Sequence, residues 1–174
     1  MITTNDDFTL TKDPHNVNTL YIKKLYSDAI VPTKGTSYSA GFDLYAHNIK
    51  DVIENKDYTD FKYFTIRPNE TVKVGTGIAL EIPEKCFGGI FARSGLATKQ
   101  GLRPSNCVGV IDSDYRGEII VALHNDSDKP QQINFGDRIA QLVLIPYLLS
   151  YVQLVDDLSE TDRGNGGFGS TGSN

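Results

Sequence analysis

The last twelve residues of the chain combine residue types that could close over a nucleotide. This segment runs from Arg163 to Asn174 and is rich in glycine. Arg163 offers a planar guanidinium that can bind phosphate through two hydrogen bonds, and Phe168 offers an aromatic face for a base. Ser170 adds a hydroxyl, and the glycines leave backbone N–H groups accessible. Because glycine cannot pack a core, the same composition also fits an ordinary disordered terminus, and the choice depends on the rest of the chain.

Two charged residues interrupt apolar, strand-like segments. Asp43 lies within Ala40–Ala46, where an unpaired carboxylate would be costly to bury. It therefore needs an arginine, backbone donors or a metal ion, and a purely structural ion pair is equally compatible with the sequence. Arg138 lies within Gly136–Gln141. A buried arginine usually has a carboxylate partner, so Asp43 is an obvious candidate for pairing with Arg138.

The segment Ala92–Ala97 predicts an anion site at the start of a short helix. The helix is predicted over Ser94–Gln100, with Gly101 as its stop signal. If Ser94 opens the helix, the first N–H groups are unpaired and can bind an anion, with Arg93 adding positive charge. An ordinary serine cap is the simpler alternative.

The segment Asn106–Glu118 predicts a hairpin, two strands joined by a tight turn that contains Asp112. Such a hairpin exposes backbone N–H and C=O groups that could pair with the edge of a base. Asp112 could act as a general base, and Tyr115 could lie against a sugar. An ordinary hairpin whose aspartates only form the turn is the alternative.

The elements that must position these residues are strands. Glycine and proline recur at short intervals, and the segments between them are rich in Ile, Val, Phe and Tyr, which favour strands. Many short strands with frequent turns are typical of an all-β barrel or jelly roll. The predicted strands are Thr19–Leu25, Phe61–Ile66, Thr71–Ile82, Cys86–Ala92, Glu118–His124, Asp137–Ile145 and Tyr151–Val155.

The chain of 174 residues is long enough for one domain with a substantial core. We expect residues 1–18 to form a flexible N-terminal segment and residues 19–158 to form the barrel. Residues 159–174 are then the tail that closes over the active site. The stretch His47–Lys62 is polar and charged, which predicts a surface insertion between strands.

Composition excludes several partners and compartments. A net charge of −5 provides no basic face, so we expect no stable binding of nucleic acid. The sequence contains no apolar run long enough to span a bilayer and no signal-peptide core, so we expect no membrane partner. Cys86 and Cys107 have neither metal-binding nor redox spacing, which predicts a reduced intracellular protein of the cytoplasm or nucleus.

Taken in the order of the chain, the five segments resemble the five motifs of the trimeric dUTPases, the deoxyuridine triphosphate nucleotidohydrolases. The segments are Ala40–Ala46, Ala92–Ala97, Asn106–Glu118, Gly136–Gln141 and the glycine-rich tail. Each pattern is short, but their order and the ending Arg-Gly-x-Gly-Gly-Phe-Gly-Ser-Thr-Gly make the resemblance specific. It extends from about Leu20 to Gly172. Ala92 departs from it, because many members of the family have proline before Arg-Ser-Gly. The sequence has no P-loop pattern that would indicate another class of nucleoside triphosphatase.

The resemblance implies a jelly-roll-like β-barrel assembled as a homotrimer, in which each active site draws on all three chains. The implied reaction is hydrolysis of dUTP to dUMP and pyrophosphate by attack of water on the α-phosphorus. That reaction limits uracil in DNA and supplies dUMP for dTMP synthesis. The implied cofactor is Mg²⁺, which Asp43 contacts through water, and the implied general base is Asp112.

The resemblance also implies which residues bind the substrate. Tyr115 would lie under the deoxyribose. The residues implied for the phosphates are Arg93, Ser94, Gly95 and Gln141, with Arg163 and Ser170 from the tail. Gly169 of the tail is implied as a further substrate-binding residue. The residues implied for uracil are Asn106 and Gly109, with Phe168 stacking on the base.

Two other functions remain open on the sequence. A dCTP deaminase resembles this family in fold and assembly, but it needs an acid beside the cytosine ring, and Glu118 is outside any deaminase-like pattern. A nucleotide-sensing protein without catalysis would not need Asp112, Arg163 and Phe168 together. Release of pyrophosphate from dUTP, of ammonia from dCTP, or of neither separates the three.

Overall fold

The computed structural model describes residues 19–51, 56–58 and 62–167. Strands dominate these ranges, and one short helix interrupts them. The elements are β1 Tyr21–Lys24, β2 Phe42–Tyr45, β3 Asn48–Asp51, β4 Lys56–Tyr58, β5 Tyr63–Ile66, β6 Thr71–Glu81, β7 Cys86–Phe91, α1 Ser94–Gln100, β8 Leu102–Pro104, β9 Gly109–Ile111, β10 Glu118–Asn125, β11 Gln131–Asn134 and β12 Arg138–Pro146.

The strands form antiparallel sheets around a common core. The largest sheet has the order β4-β3-β6-β10-β8, and β1 also pairs with β6. A second sheet has the order β2-β12-β7-β9, and β5 pairs with β11. Along β10, the buried Ile119, Val121 and Leu123 alternate with more exposed residues, so one face of the strand enters the core. Burying each such side chain stabilises the fold by about 1.5–3 kcal/mol.

The architecture confirms the predicted all-β, jelly-roll-like barrel. β1, β5, β6, β7, β10 and β12 each lie within or nearly within a predicted strand, and α1 has the predicted bounds. Among the described residues, the helix is too short to cross a membrane. The predicted N-terminal segment 1–18 lies outside the described residues, as do Phe168, Gly169 and Ser170 of the tail.

The predicted strand Tyr151–Val155 is wrong. Residues 147–155 belong to no helix or strand in this chain, although Tyr147 N still donates to Lys85 O at 3.0 Å, and β12 is the last strand of the described part. Tyr151 and Val152 have the side chains of a strand, but a strand also needs an edge to pair with.

The predicted surface insertion His47–Lys62 is also wrong at its start. His47 and Asn48 are buried, and Asn48 pairs with Gly75 of β6, so β3 is part of the largest sheet. Hydrogen bonds compensate most of this polar burial: the His47 ring bonds to Asp28 and to Asn48 Nδ2, and Asn48 Nδ2 also donates to Glu118. Among the described residues, Asn48 Oδ1 has no hydrogen-bond partner.

The predicted hairpin Asn106–Glu118 is a turn between two sheets. β9 pairs with β7, whereas β10 pairs with β6 and β8. The residues on either side of the turn are strands, as predicted, but they do not pair with each other. Residues 112–117, which join β9 to β10, are called the site turn below.

Candidate active site

Strand register brings the first site residues together. β12 lies between β2 and β7, and Gln141 is opposite Asp43 on one side and Phe91 on the other. The chain leaves β7 after Phe91 and enters α1 through Arg93. One end of this sheet therefore carries Asp43, Gln141 and the start of the helix side by side.

Asp43 is held by two arginines. Arg93 Nε donates a hydrogen bond of 2.8 Å to Asp43 Oδ1, and Arg138 Nη1 donates one of 3.3 Å to Oδ2. The Asp43 side chain is 15% exposed and Arg138 is 52% exposed. The predicted Asp43–Arg138 pair is therefore confirmed, although Arg138 is not buried. Arg93, which was predicted only as a phosphate ligand, makes the shorter of the two charge-assisted bonds.

The backbone of Asp43 is held by Thr33, which precedes β2 in the chain and forms an isolated bridge with Asp43. Asp43 N donates to Thr33 O at 2.7 Å, and the hydroxyls of Thr33 and Tyr45 hydrogen-bond to each other. A bulge in β12 between Arg138 and Ala140 changes the register against β2. Because bulges redirect side chains, this one lets the Arg138 side chain reach the Asp43 carboxylate on the neighbouring strand β2.

Gln141 is placed by a glycine and a carbonyl. Gln141 Nε2 donates to Ala92 O at 2.9 Å, which ties β12 to the turn before α1. A Cβ on Gly41 would lie 2.7 Å from Gln141 Oε1, so a side chain at this position would displace the Gln141 amide. The contact orders the backbone immediately before Arg93 and Ser94.

The start of α1 presents unpaired N–H groups. The N-cap is Arg93, with extended backbone and no side-chain cap, so the alternative of a serine cap is wrong. Ser94 and Gly95 are exposed, and a Cβ on Gly95 would meet nothing within 4 Å. The first turn has no acidic residue, which leaves these N–H groups free of a competing carboxylate. Gly101 ends the helix in the left-handed conformation, as predicted.

A polar cleft of about 280 Å³ opens beside the two arginines, between α1 and the β11–β12 region. Arginine and amide side chains dominate its wall, so it suits a charged rather than an apolar ligand. It is lined by Arg93, Leu96, Gln100, Gln132, Ile133, Asn134, Asp137 and Arg138.

A second group of site residues lies around β9. A Cβ on Gly109 would be 3.4 Å from Asn106 Nδ2 and 3.1 Å from Ile90, so the Asn106 amide lies close over this glycine. The chain reverses just before β9, where Cys107 has a φ of 61° and Val108 N donates to Asn106 O at 2.6 Å. This places a side-chain amide next to backbone polar groups, an arrangement able to bind the edge of a base.

The site turn holds Asp112 and Tyr115 in defined positions. Tyr115 N donates to Asp112 O at 3.1 Å, and Arg116 Nη1 donates to Ser113 O at 2.6 Å. Asp112 is exposed, so its carboxylate is accessible to a reactant. The ring of Tyr115 folds back over Gly117, and its hydroxyl donates to Glu118 O at 3.1 Å.

The tail residue Arg163 lies apart from both groups in this chain. Its Nε donates to Gly166 O at 2.8 Å, and Gly164 N and Gly166 N bond to residues of the same segment. These bonds fold the described end of the tail on itself. The structure therefore joins Asp43, Arg93, Arg138 and Gln141, joins Asn106 to Gly109, and leaves Arg163 exposed.

Two glycines that the sequence analysis did not select are part of the site. Gly41 leaves room for Gln141, and a Cβ on Gly117 would overlap the Tyr115 ring. The available signal was their position, since each lies within two residues of a site residue. A glycine at such a position indicates a close approach that a side chain would prevent.

A protein-family model described as dUTPase matches residues 27–172. The chain belongs to the dUTPase family. The match includes each residue described above in both groups and extends through the tail. The resemblance inferred from the five short segments is thus confirmed over nearly the whole chain.

Curated relatives and solved structures agree with this assignment. The chain is 45% identical to a deoxyuridine 5'-triphosphate nucleotidohydrolase of Desulfitobacterium hafniense, over 90% of this chain and 95% of the relative. It is 47% identical to the enzyme of that name from Hydrogenobaculum sp., over 88% of this chain and 97% of the relative. A G164S mutant of the dUTPase of Staphylococcus bacteriophage 80alpha, with dUpNHpp, matches with a TM-score of 0.74 and 26% identity. That match covers 90% of this chain and 99% of the phage protein.

Proposed function

We propose that the chain hydrolyses dUTP to dUMP and pyrophosphate with Asp112 as the general base and with sites shared between subunits. Hydrolysis of dUTP to dUMP is the activity of a dUTPase. The observation that supports the mechanism best is the grouping of Asp43, Arg93 and Gln141 beside the open start of α1. Phosphoryl chemistry depends mainly on positioning and charge neutralisation, and this group supplies both.

The triphosphate is assigned to the start of α1. Ser94 and Gly95 offer backbone N–H groups and a hydroxyl, and Gln141 lies beside them through its bond to Ala92. Arg93 donates through Nε to Asp43 and through Nη1 to the Arg138 carbonyl at 3.3 Å, which leaves further N–H donors on its terminal nitrogens for phosphate oxygens. These bonds restrict the rotamers of Arg93 before substrate arrives, which lowers the entropy lost on binding.

Asp43 is the residue we assign to Mg²⁺. Among the described residues, no group of three His, Cys, Asp or Glu side chains could hold an ion by itself. That composition fits Mg²⁺, which is usually held by one or two carboxylates together with substrate phosphates and waters. Each Asp43 oxygen accepts one arginine hydrogen bond and has a further lone pair for a bound water. When bound, the ion would neutralise charge on the phosphate oxygens.

Base and sugar selection are assigned to the β9 region and the site turn. The Asn106 amide and the Gly109 backbone would hydrogen-bond the edge of uracil. Cytosine exchanges a donor for an acceptor there and would leave buried groups unpaired, which is a strong basis for rejection. The Tyr115 ring would pack against deoxyribose and leave no room for a 2′-hydroxyl.

Asp112 is assigned to the proton transfer. A water oxygen forms the new bond to the α-phosphorus as the bond from that phosphorus to the bridging oxygen breaks. The proton of the water passes to the Asp112 carboxylate, and pyrophosphate leaves with the bridging oxygen. The tail residues Arg163, Phe168, Gly169 and Ser170 would cover the substrate and exclude bulk water during this step.

The exposed apolar side chains of residues 147–158 are the observation that supports assembly of this chain into an oligomer. The segment has no helix or strand and is rich in apolar residues, of which Leu148, Tyr151, Val152 and Leu154 are each at least 90% exposed. Exposed apolar segments of this size mark interaction surfaces. We assign the segment to contacts with other copies, in a homotrimer whose sites receive the tail of a neighbouring chain.

The purified protein with Mg²⁺ should release pyrophosphate from dUTP and no ammonia from dCTP. The measurement is a coupled assay for each product, with dTTP and UTP as further substrates. Release of ammonia from dCTP would favour the deaminase reading, and release of neither product would favour a nucleotide sensor.

A mixture of two inactive variants should regain activity if sites are shared. One partner carries Asp112→Asn and the other lacks the residues after Thr161. After mixing under conditions that exchange subunits, some sites combine an intact Asp112 with an intact tail from another chain. Sedimentation should give a mass near three times 19.2 kDa. A fully active monomer, or mixed trimers without regained activity, contradicts the shared site.

A further inference from the structure

A buried ion pair lies directly behind the site turn. Glu118, the first residue of β10, follows the turn immediately, and its Oε2 is 2.6 Å from Lys50 Nζ. The side chains are only 9% and 15% exposed. A buried ion pair is weak evidence of a stabilising role, because desolvating both charges offsets much of their attraction. Because the pair adjoins the site turn, it can instead order the backbone at the start of β10.

The Glu118 carboxylate closes a break in the sheet. Glu118 pairs with Ala79 and Ile120 pairs with Gly75, so the register between β10 and β6 shifts at this point. Gly77 lies in this break with a φ of 70°, and its N–H donates to Glu118 Oε1 at 2.8 Å. The carboxylate thus replaces the strand carbonyl that this N–H would otherwise need.

Two further features show that the local chain is shaped around this carboxylate. Asn48 Nδ2 donates to Glu118 Oε1 at 2.7 Å, and Asn48 is fully buried. A Cβ on Gly75 would overlap the side chains of both Asn48 and Glu118. Since Asn48 and Lys50 belong to β3, the stretch predicted as a surface insertion supplies two of the three partners of Glu118.

The same residue sets the position of Tyr115. The Tyr115 hydroxyl donates to the Glu118 backbone carbonyl at 3.1 Å. The ring can reach that carbonyl because Gly117 has no Cβ in its path. A shift of the Glu118 backbone would therefore move the acceptor that orients the Tyr115 ring.

We propose that Glu118 and Lys50 are a pair of positioning residues that fix Tyr115 and so set the preference for deoxyribose over ribose. The inference rests on the proposed function, in which Tyr115 contacts the sugar. Glu118 does not touch substrate; it acts through its own backbone carbonyl. The β3 strand thereby influences sugar selection from behind the site turn.

The test compares dUTP and UTP as substrates of Glu118→Gln, Lys50→Met and a matched control, Glu84→Gln. Glu84 is exposed, so its substitution removes the same charge without touching the pair. We expect the ratio of kcat/KM for dUTP to that for UTP to fall by about 5-fold in both pair variants and to stay constant in the control. A folded pair variant that slows both substrates equally, with an unchanged ratio, overturns the proposal.

A double-mutant cycle with Tyr115→Phe tests whether Glu118 acts on sugar selection through the Tyr115 hydroxyl. This substitution keeps the ring and removes the hydroxyl, so Glu118→Gln should change the ratio less in the Phe background than in the wild type. Fully additive effects overturn action through Tyr115. If Glu118→Gln does not fold, the same cycle with Lys50→Met decides the question.

Tyr115→Ala separates failure of this inference from failure of the proposed function. Removing the ring should change the dUTP-to-UTP ratio by about 10-fold or more. If that variant keeps the wild-type ratio, the proposed sugar contact is wrong. If it changes the ratio while Glu118→Gln and Lys50→Met do not, only the positioning pair is wrong.

Discussion

Asp112→Asn should lower the turnover of dUTP by about 10²–10⁴-fold, the usual cost of losing a general base. Asparagine keeps the volume of the side chain but cannot accept the proton at neutral pH. The fold should survive, because Asp112 is exposed and the site turn is closed by its backbone carbonyl rather than by its carboxylate. Binding of a non-hydrolysable dUTP analogue should therefore change little.

Asp114→Asn is the matched control for this prediction. Asp114 is exposed in the same turn and has no assigned role, so its substitution tests whether any loss of charge there slows the enzyme. The measurement is the single-turnover rate together with the affinity for the analogue. Near-wild-type turnover in Asp112→Asn, or equal losses in both variants, would remove Asp112 from the role of base.

Local sequence predicted most strand positions because β-branched and aromatic residues accumulate between glycines and prolines. Thr71–Ile82 became β6 and Asp137–Ile145 became β12 with errors of one residue at the ends. Partners were harder to predict, because pairing depends on residues far apart in the chain. β9 thus pairs with β7 rather than with β10, which follows it. The segment Tyr151–Val155 has the composition of a strand, but it pairs with none of the described strands of this chain.

The prediction of a surface insertion over His47–Lys62 failed at its start because polar residues there are buried. His47, Asn48 and Lys50 are residues usually found at the surface, and the sequence gives no sign that Asp28 and Glu118 provide their partners. Burial of such residues becomes favourable only when partners from distant elements converge. Sequence patterns record residue types along one segment and do not record that convergence.

The part of the candidate site that the sequence predicted is the ion pair of Asp43, because a carboxylate in an apolar segment needs a partner. A carboxylate within an apolar strand implied an arginine, and Arg138 is bonded to Asp43 as predicted. The additional bond from Arg93 was not predicted, because an arginine before an open helix start serves phosphate equally well. One Arg93 side chain can serve both purposes: Nε and Nη1 hold it to Asp43 and to the Arg138 carbonyl, and further N–H groups of the guanidinium are left for phosphate.

Truncation after Thr161 should abolish most turnover while leaving the barrel folded. The last strand ends at Pro146, and the described tail residues after Thr161 bond only within their own segment. Their removal takes away little buried apolar surface, so the free energy of unfolding should be nearly unchanged. The truncated enzyme lacks Arg163, Phe168 and Ser170. Losing charge stabilisation at the γ-phosphate should cost about 10²-fold or more in kcat.

A truncation after Gly172 is the control, because it retains every tail residue assigned to the substrate and should remain active. Phe168→Ala isolates stacking on the base and should weaken binding by about 1–3 kcal/mol. NMR of the tail backbone, with and without a non-hydrolysable dUTP analogue and Mg²⁺, should show ordering only in the complex. Glycine-rich backbone loses much conformational entropy on ordering, so closure must be driven by contacts with the triphosphate and the base. A tail that is equally mobile in both states, in a protein whose truncation after Thr161 leaves turnover intact, would be an ordinary terminus without a role in catalysis.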